Sequence, residues 1–311
     1  MHIVLFFTEG VSLKRWDRVG ILPREIFFYK KLITRGHKIS FITYGERDDL
    51  QYQKRLNGIR VYCNRFGIYR SLYKKLIWFI HYNIIKKADI LKTNQMFGAD
   101  AAITSSKLLS KLLIVRLGYL YSKFISEEFG FNSIEYNSSL NLESKTFNNS
   151  DHIIVTTQAI KSYILKKYNI EKKKISIIPN FIQLENFKPN SNIEKVYEMI
   201  FIGRIEKQKN IETLIKVMID LQLKILIIGN GRLNKYLERK FESLCRGSRW
   251  IKNVNNTKIP FYIHQSKFFI LPSFYEGQPK SLLEAMACGI PIIGADSPGI
   301  NQLITHKKNG I

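Results

Sequence analysis

Acidic residues are scarce in this chain. Its 311 residues include 25 Asp and Glu against 49 Lys and Arg, which gives a formal net charge of +24. Such an excess is expected of proteins that bind nucleic acid, an anionic membrane or phosphorylated small molecules, and a compositional bias towards Lys, Ile and Asn also produces it. Charge alone therefore does not select a function.

Cysteines and long apolar runs are also scarce. The three cysteines, Cys63, Cys245 and Cys288, are odd in number and far apart, so neither a disulfide framework nor a zinc site is indicated and a reducing cytoplasm is expected. No uninterrupted apolar run reaches the roughly 18 residues of a membrane-spanning helix. Residues 1–7 lack the basic start of a signal peptide and predict a buried strand instead. The hydrophobic fraction of 45% fits a packed globular protein.

One basic segment is rich in aromatic and apolar residues. From Leu50 through Ala88 there is no acidic residue. Within residues 65–87 the apolar positions near helical spacing are Leu72, Leu76, Ile77, Ile80 and Ile84. Such a helix fits peripheral contact with an anionic membrane, and it equally fits a core helix with a solvated basic face. Both interpretations stay open.

The N-terminal residues predict a βαβ unit. The pattern indicates a strand at residues 3–7, a loop at 8–22, a helix at 23–36 and a strand at 38–43, as in a doubly wound parallel sheet. The loop does not match G-x-G-x-x-G. Gly20, just before the helix, either lets the backbone approach a phosphate or only shapes a turn.

The chain is predicted to form two α/β domains, because 311 residues exceed the size at which one hydrophobic core stops growing. A polar segment is the predicted linker between them. The predicted limits are residues 1–185, a linker at 186–195, and residues 196–311. The first domain is predicted to continue with strands at 88–93, 112–116, 151–156 and 174–178 and helices at 97–110, 142–150 and 158–167. The second has predicted strands at 199–202, 224–228, 268–271 and 290–294 and helices at 210–221, 232–245, 260–265 and 279–288.

The stretch from residue 268 to residue 299 carries the strongest local signals. Pro279 suits a helix start, and Gly289 is the expected left-handed helix end. Two carboxylates, Glu276 and Glu284, lie eight positions apart around the helix start. Taken alone, Glu276 is expected to be a solvated loop charge, and Glu284 is expected to interact favourably with the dipole at the helix N-terminus.

Two cations change the interpretation of these carboxylates. Arg204 follows the strand at 199–202, and Lys209 comes five residues later. Because ligands bind beyond the carboxyl ends of parallel strands, both cations and both carboxylates are expected at one sheet edge. Cations suit a diphosphate and carboxylates suit sugar hydroxyls. The combination predicts a nucleotide-sugar site.

The same residues resemble the motifs of glycosyltransferase family 4, whose members are retaining enzymes with the GT-B fold. Glu276 and Glu284 match its E-x7-E motif within P-S-x-x-E-G-x-P-x-x-x-L-E-A-M-A-C-G-x-P, and Gly203-Arg204 with Lys209 resembles G-R-x-x-x-x-K-x-x-x-x-L-I. Residues 178–180 with 187–189, and residues 35–37, resemble its I-P-N…F-x-P and R-G-H segments. The likeness covers most of the chain and is most specific in the second half.

The resemblance implies roles for individual residues. Arg204 and Lys209 would stabilise the departing nucleoside diphosphate in place of a metal, and Glu276 would bind the donor sugar, so these three are the implied catalytic residues. Glu284 would bind the ribose, and backbone N–H groups at the helix start would hold sugar and phosphate. The implied donor-binding residues are Gly20, Gly203, Gly277, Lys280, Ser281 and Glu284.

The resemblance also implies the architecture and the reaction. Two Rossmann-like domains would face a central cleft, with an incomplete C-terminal domain because relatives continue with further helices. The enzyme would transfer a sugar with retention from a nucleoside-diphosphate sugar to a saccharide or lipid-linked acceptor, without metal or cofactor. Cell-surface polysaccharide or glycolipid synthesis is the implied pathway. It would take place in the cytoplasm, with possible peripheral contact of residues 65–87 with the inner face of the membrane and no specific nucleic-acid partner.

One family residue is missing from the pattern. Many relatives carry a histidine in the first domain that faces the donor sugar, and this chain has no His between His81 and His152. Asp100 or Arg116 is the candidate for that region. Two alternatives to the enzyme are a non-catalytic or truncated nucleotide-sugar-binding protein and a basic nucleic-acid-binding protein.

Overall fold

Strands and helices alternate along the chain in two separate units. The computed structural model describes residues 1–244 and 246–311. One unit comprises Met1–Asp17 and Glu25–Pro179, and the other comprises Arg18–Arg24 and Asn180–Ile311. These units are groups of residues in mutual contact, so they do not test the predicted domain limits at residues 185 and 196, which stay a prediction.

The first unit is built on a parallel sheet. Short runs rich in Ile, Leu and Val become buried strands because both faces of such a sheet are covered. The strands are β1 (His2–Phe6), β2 (Lys38–Ile42), β3 (Ile59–Tyr62), β4 (Ile90–Thr93), β5 (Leu112–Leu117), β6 (His152–Val155) and β7 (Ile175–Ile177). Their order in the sheet is β3-β2-β1-β4-β5-β6-β7. The strand order reverses between β1 and β4, where doubly wound folds bind ligands.

Helices cover this sheet. They are α1 (Leu13–Arg18), α2 (Leu22–Thr34), α3 (Tyr52–Arg55), α4 (Arg70–Ile80), α5 (Tyr82–Lys86), α6 (Ala99–Leu109), α7 (Tyr121–Phe129), α8 (Ile134–Asn148) and α9 (Gln158–Tyr168). Residues of β1, β4, β5, β6, α4 and α6 share one buried apolar cluster. This cluster is one part of the core of the unit.

Several predictions for the first unit were wrong in detail. The loop expected at residues 8–22 contains α1, whose first backbone N–H groups, at Leu13 and Lys14, each donate to the buried Asp49 carboxylate at 3.0 Å. The single helix expected at 65–87 is two helices that meet at His81. Helix α7 and the first half of α8 were not predicted, because their polar residues conceal the helical period.

The second unit repeats the pattern with a smaller parallel sheet. Its strands are β8 (Tyr197–Ile202), β9 (Ile225–Ile228), β10 (Arg249–Ile251), β11 (Ser266–Leu271) and β12 (Ile292–Gly294), in the order β10-β9-β8-β11-β12. Its helices are α10 (Ile211–Asp220), α11 (Asn234–Leu244), α12 (Ile259–His264) and α13 (Lys280–Ala287). Strand β10 was not predicted. The predicted end of α11 at Cys245 lies outside the described residues.

The core of the second unit extends into the predicted linker. Phe187 is buried in the same apolar cluster as β8, β9 and β11. The order reverses between β8 and β11, which makes their carboxyl ends the expected ligand position. Among the described residues of both units, no helix combines the length and the apolar character that crossing a membrane requires.

Candidate functional site

A buried ion pair lies at the carboxyl ends of β8 and β11. The Lys209 ammonium donates to the Glu276 carboxylate, and the two side chains are only 10% and 8% exposed. Gln208 Nε2 lies 3.5 Å from the second oxygen of Glu276. Burial lowers the pKa of Lys209, and the charge of Glu276 opposes that effect. The fold thus buries this lysine, and one carboxylate is its ion-pair partner.

Arg204 adds a second cation beside this pair. Its side chain is exposed. Its charge contributes to lowering the pKa of Lys209, after the larger effect of burial, so the two cations are close enough to repel. An anionic ligand relieves such repulsion and binds both groups.

Close glycine packing shapes the loop that carries Arg204. A Cβ on Gly229 would overlap the carbonyl oxygen of Gly203, and a Cβ on Gly231 would overlap that of Ile205. Ile205 N donates to Asn230 O at 3.1 Å, which ties the loops after β8 and β9 together. The absence of side chains therefore lets two loops share one edge of the sheet.

The loop that carries Glu276 is held from the other side by residues 298 and 299. Glu276 N donates to Pro298 O at 2.8 Å. Gly299 has φ +85°, and a Cβ there would overlap the carbonyl oxygens of Glu276 and Gly277. Gly299 was not among the predicted site residues, although it fixes the backbone of one of them.

The start of α13 comes directly after this loop. Pro279 is the residue before the first helical turn, rather than its first member as predicted. The side-chain oxygen of Gln278 accepts from Asn180 N, and Asn180 Nδ2 donates to Gln278 O at 2.7 Å. Lys280 lies over the Phe181 ring, 5.9 Å from its centroid. Backbone N–H groups at a helix start attract anions, and the role of Gly277 to Ser281 in holding sugar and phosphate stays a prediction.

Glu284 forms a separate buried cluster. It is 1% exposed, and its Oε1 accepts from Asn256 Nδ2 at 3.0 Å and from Arg24 Nη1 at 3.4 Å. Burial, and then the charge of Glu284, raises the pKa of the Cys288 thiol to about 12. Both of these hydrogen bonds are accepted by Oε1.

Gly20 organises the segment that supplies Arg24. It has φ +77°, and a Cβ there would overlap the carbonyl oxygen of Val254. Asn256 N donates to Gly20 O at 2.8 Å. The segment Arg18–Arg24 therefore packs with the second unit, and Gly20 lies near the Glu284 cluster. Contact of Gly20 with a phosphate stays a prediction.

The structure thus forms two groups from the predicted residues. One contains Gly203, Arg204, Lys209 and Glu276, and the other contains Gly20 and Glu284. Sequence reasoning missed Gln208, Asn256 and Arg24. Gln208 is adjacent to Lys209 and was within reach of motif analysis, whereas Arg24 and Asn256 are far from Glu284 in sequence and no local pattern marks them.

The candidates for the missing histidine lie in the first unit. Asp100 accepts from Lys145 Nζ at 2.6 Å, so its carboxylate already has a cationic partner. Arg116 lies in β5, and its backbone N donates to Thr93 Oγ1 at 3.1 Å. Neither contact shows that Asp100 or Arg116 takes the place of the histidine that faces the donor sugar in relatives.

Two parallel sheets, each with a reversal of strand order, place this chain among the doubly wound α/β proteins. The model of "Glycosyltransferase Family 4" matches residues 28–186, and that of "Glycosyl transferases group 1" matches residues 183–311. The chain belongs to glycosyltransferase family 4.

Individual relatives agree with this assignment. An uncharacterized glycosyltransferase of Methanocaldococcus jannaschii is 26% identical over 90% of this chain and 77% of its own length. The UDP-Gal:alpha-D-GlcNAc-diphosphoundecaprenol alpha-1,3-galactosyltransferase of Escherichia coli is 28% identical over 48% of this chain and 44% of its own length. The two comparisons support glycosyl transfer as the class of reaction.

A solved structure supports the fold. The Anabaena protein HepE, in complex with UDP and glucose, superimposes with a TM-score of 0.76 at 16% identity and covers 100% of this chain, which spans 85% of HepE. The predicted α/β GT-B fold with two Rossmann-like domains is confirmed. The predicted incompleteness of the C-terminal domain is not confirmed.

Proposed function

We propose that this glycosyltransferase transfers a sugar from a nucleoside-diphosphate sugar to a saccharide or lipid-linked acceptor, with retention of configuration. The Lys209–Glu276 pair beside Arg204 is the observation that carries the proposal. A diphosphate next to Arg204 and Lys209 receives forked donors from one and a point charge from the other.

The departure of the nucleoside diphosphate is the step that these cations assist. Charge develops on the leaving oxygen, and buried donors held in place before the reaction stabilise it more strongly than water does. Glu276 holds Lys209 in position and offers an oxygen to the donor sugar. This arrangement supplies the stabilising charge from side chains, so neither a metal nor a cofactor is part of the proposal.

Glu284 gives the site its preference for a nucleotide. A buried carboxylate fixed by Asn256 and Arg24 accepts hydrogen bonds from the ribose hydroxyls. Attack from the leaving-group side, without a covalent intermediate, accounts for retention. HepE was solved with UDP and glucose, and the Escherichia coli relative is named for a UDP-sugar donor and a lipid-linked diphosphate acceptor. These names support the donor and acceptor classes.

The proposed setting is the cytoplasmic face of a membrane, in the synthesis of cell-surface polysaccharide or glycolipid. Aromatic side chains are exposed between basic residues in and before α4, with Tyr69 87% and Phe79 67% exposed. Lys75, Lys86 and Lys87 are exposed nearby. Aromatic and basic side chains together suit an anionic lipid surface.

The test uses donor binding and turnover in matched variants. Lys209→Met is expected to lower the turnover number by about 10²–10³, because it removes one preorganised donor to the leaving group. Lys207→Met, two residues away and exposed, is the control and is expected to retain activity. Isothermal titration with a panel of nucleotide sugars identifies the donor, and mass spectrometry of products then gives the turnover.

Three outcomes bear on the proposal. Donor-dependent product formation that Lys209→Met slows by about 10²–10³ and Lys207→Met retains supports it. Absence of binding to every nucleotide sugar contradicts it. Tight binding without product from any saccharide or lipid extract favours the non-catalytic binding protein instead.

A further inference from the structure

Lys92 is a partly buried cation in the first unit that the proposed donor site does not use. It lies in β4, and its Nζ donates to Tyr29 Oη at 3.1 Å and to Thr93 O at 3.5 Å. Both partners are neutral, and within the described ranges Lys92 forms no ion pair with a carboxylate. A lysine removed from water without an acidic partner costs folding free energy.

Arg116 lies on the same face of the sheet. Strands β4 and β5 pair with Lys92 opposite Ile114, so Arg116 is two residues further along the face that carries Lys92. Strand β4 ends at Thr93 and β5 ends at Leu117. Both cations are therefore near the carboxyl ends of adjacent strands, where parallel α/β sheets bind ligands.

Charged groups of both signs act on Lys92. Burial, followed by the charge of Arg116, lowers the pKa of Lys92 to about 7, and Glu25 in the first turn of α2 opposes them. Tyr29, which packs against Lys92, has its pKa raised by burial, so it remains a neutral hydroxyl. Lys92 thus lies near a second cation, a carboxylate and a phenol.

We propose that Lys92 and Arg116 bind a phosphate or diphosphate group of the acceptor substrate. The assignment of this anion to the acceptor rests on the proposed transfer reaction. Phosphate oxygens accept from the ammonium and from the guanidinium fork at once, and the bound anion gives Lys92 a charged partner that its hydrogen bonds to Tyr29 and Thr93 do not provide. A sugar phosphate and a lipid-linked diphosphate carry the same recognised chemistry.

Inorganic pyrophosphate is a suitable probe for this site. Isothermal titration of the full chain is expected to show two pyrophosphate sites, one dependent on Lys92 and one on Lys209. Lys92→Met is expected to weaken the first about 10- to 100-fold and to leave the second unchanged. Lys107→Met, which removes an exposed lysine from α6, is the control for net charge.

Proton uptake provides a second readout. A bound anion raises the pKa of Lys92, so near pH 7 binding at its site takes up protons, and the measured heat changes with the ionisation enthalpy of the buffer. Groups that act on Lys92 are Arg116, Glu25 and Tyr29, and the buffer dependence should vanish in Lys92→Met. A merely structural lysine does not produce this difference.

The outcomes separate this inference from the proposed function. Loss of the Lys92-dependent site alone, with the melting temperature kept or raised, supports the inference. Unchanged pyrophosphate binding in Lys92→Met overturns it, whatever Lys209→Met shows. Absence of the Lys209-dependent site contradicts the proposed function and leaves the anion site of the first unit intact.

Turnover distinguishes the source of the phosphate. With the donor saturating, Lys92→Met is expected to raise KM at least tenfold for phosphorylated acceptors and to leave KM for neutral saccharides unchanged. Soluble sugar phosphates and polyprenyl-diphosphate sugars in vesicles are compared side by side, and the class that shows the KM effect is the acceptor. Equal KM values for all acceptors in both proteins overturn the assignment of the site to the acceptor.

Discussion

At the scale of single residues, the buried charged groups divide by the partners that they have. Asp49 is fully buried and accepts from two backbone N–H groups and from Thr43, so its charge is satisfied by the fold. Lys209 depends on one carboxylate, and Lys92 has neutral partners. Groups whose charge the fold satisfies poorly are the better candidates for ligand contact.

His81 gives a prediction at the same scale. It is 8% exposed, and its Nε2 lies 2.8 Å from Tyr73 Oη. Burial, and then Arg65, lowers the pKa of His81 from 6.5 to about 4. The unfolded chain therefore takes up a proton below pH 6.5 that the folded chain does not, and stability falls as the pH decreases from about 6.5 to about 4, by roughly 3 kcal/mol.

Urea unfolding at a series of pH values measures this effect. His81→Gln is expected to remove that part of the decline, while His306→Asn, at an exposed position, should retain it. Equal slopes between pH 6.5 and 4 for the His81 variant and the unmodified chain would show that the imidazole does not control acid stability.

At the scale of elements, glycine-dependent loop contacts hold the site together. Loops after β8 and β9 share an edge through Gly203 and Gly229, and the loop after β11 is held by Gly299. The sequence motif predicts Gly203 as a donor-binding residue. The structure gives a different reason for the glycine at position 229, which is the close approach of its backbone to the carbonyl oxygen of Gly203. That reason depends on which loops the sheet order brings together.

Gly299 provides a test of this loop contact. Gly299→Ala places a methyl group against Glu276 O, and it should destabilise the second unit by about 1–3 kcal/mol more than Gly247→Ala. Gly247 has a similar φ of +83°, but a Cβ there would meet only the flexible Lys224 side chain, at 3.2 Å. Because both positions have positive φ, the comparison isolates the clash from the cost of the left-handed backbone. Thermal unfolding followed by circular dichroism measures both, and equal losses would contradict a steric role for Gly299.

At the scale of the whole molecule, the net charge of +24 suits an anionic surface. The chain should bind vesicles that contain phosphatidylglycerol and release them at high salt, because screening weakens attraction between exposed charges. Replacing Phe79 by Ser should weaken binding about tenfold, since an aromatic side chain no longer enters the lipid interface.

Co-sedimentation with vesicles measures this binding. Phe261→Ser removes an aromatic residue of comparable exposure from the second unit and serves as the control. Equal loss in the two variants, or equal binding to neutral phosphatidylcholine vesicles, would contradict a specific surface around α4.

The alternation of strands and helices, the family resemblance and the candidate residues could all be predicted from the sequence. Those candidates are Arg204, Lys209, Glu276 and Glu284. These signals are local, because an apolar run, a glycine helix end or a fixed spacing is written in consecutive residues. The same locality explains why α7 and β10 were missed, since their residues lack a clear period.

Which distant residues come together in a site depends on the folded chain. Sheet order brings the loops after β8, β9 and β11 to one edge, and packing of residues 18–24 brings Arg24 to Glu284 across 260 positions of sequence. Burial likewise separated Lys92 from the many exposed lysines of this basic chain. Exposure, charge balance and long-range contacts depend on the folded chain, so they cannot be predicted from a local segment of the sequence.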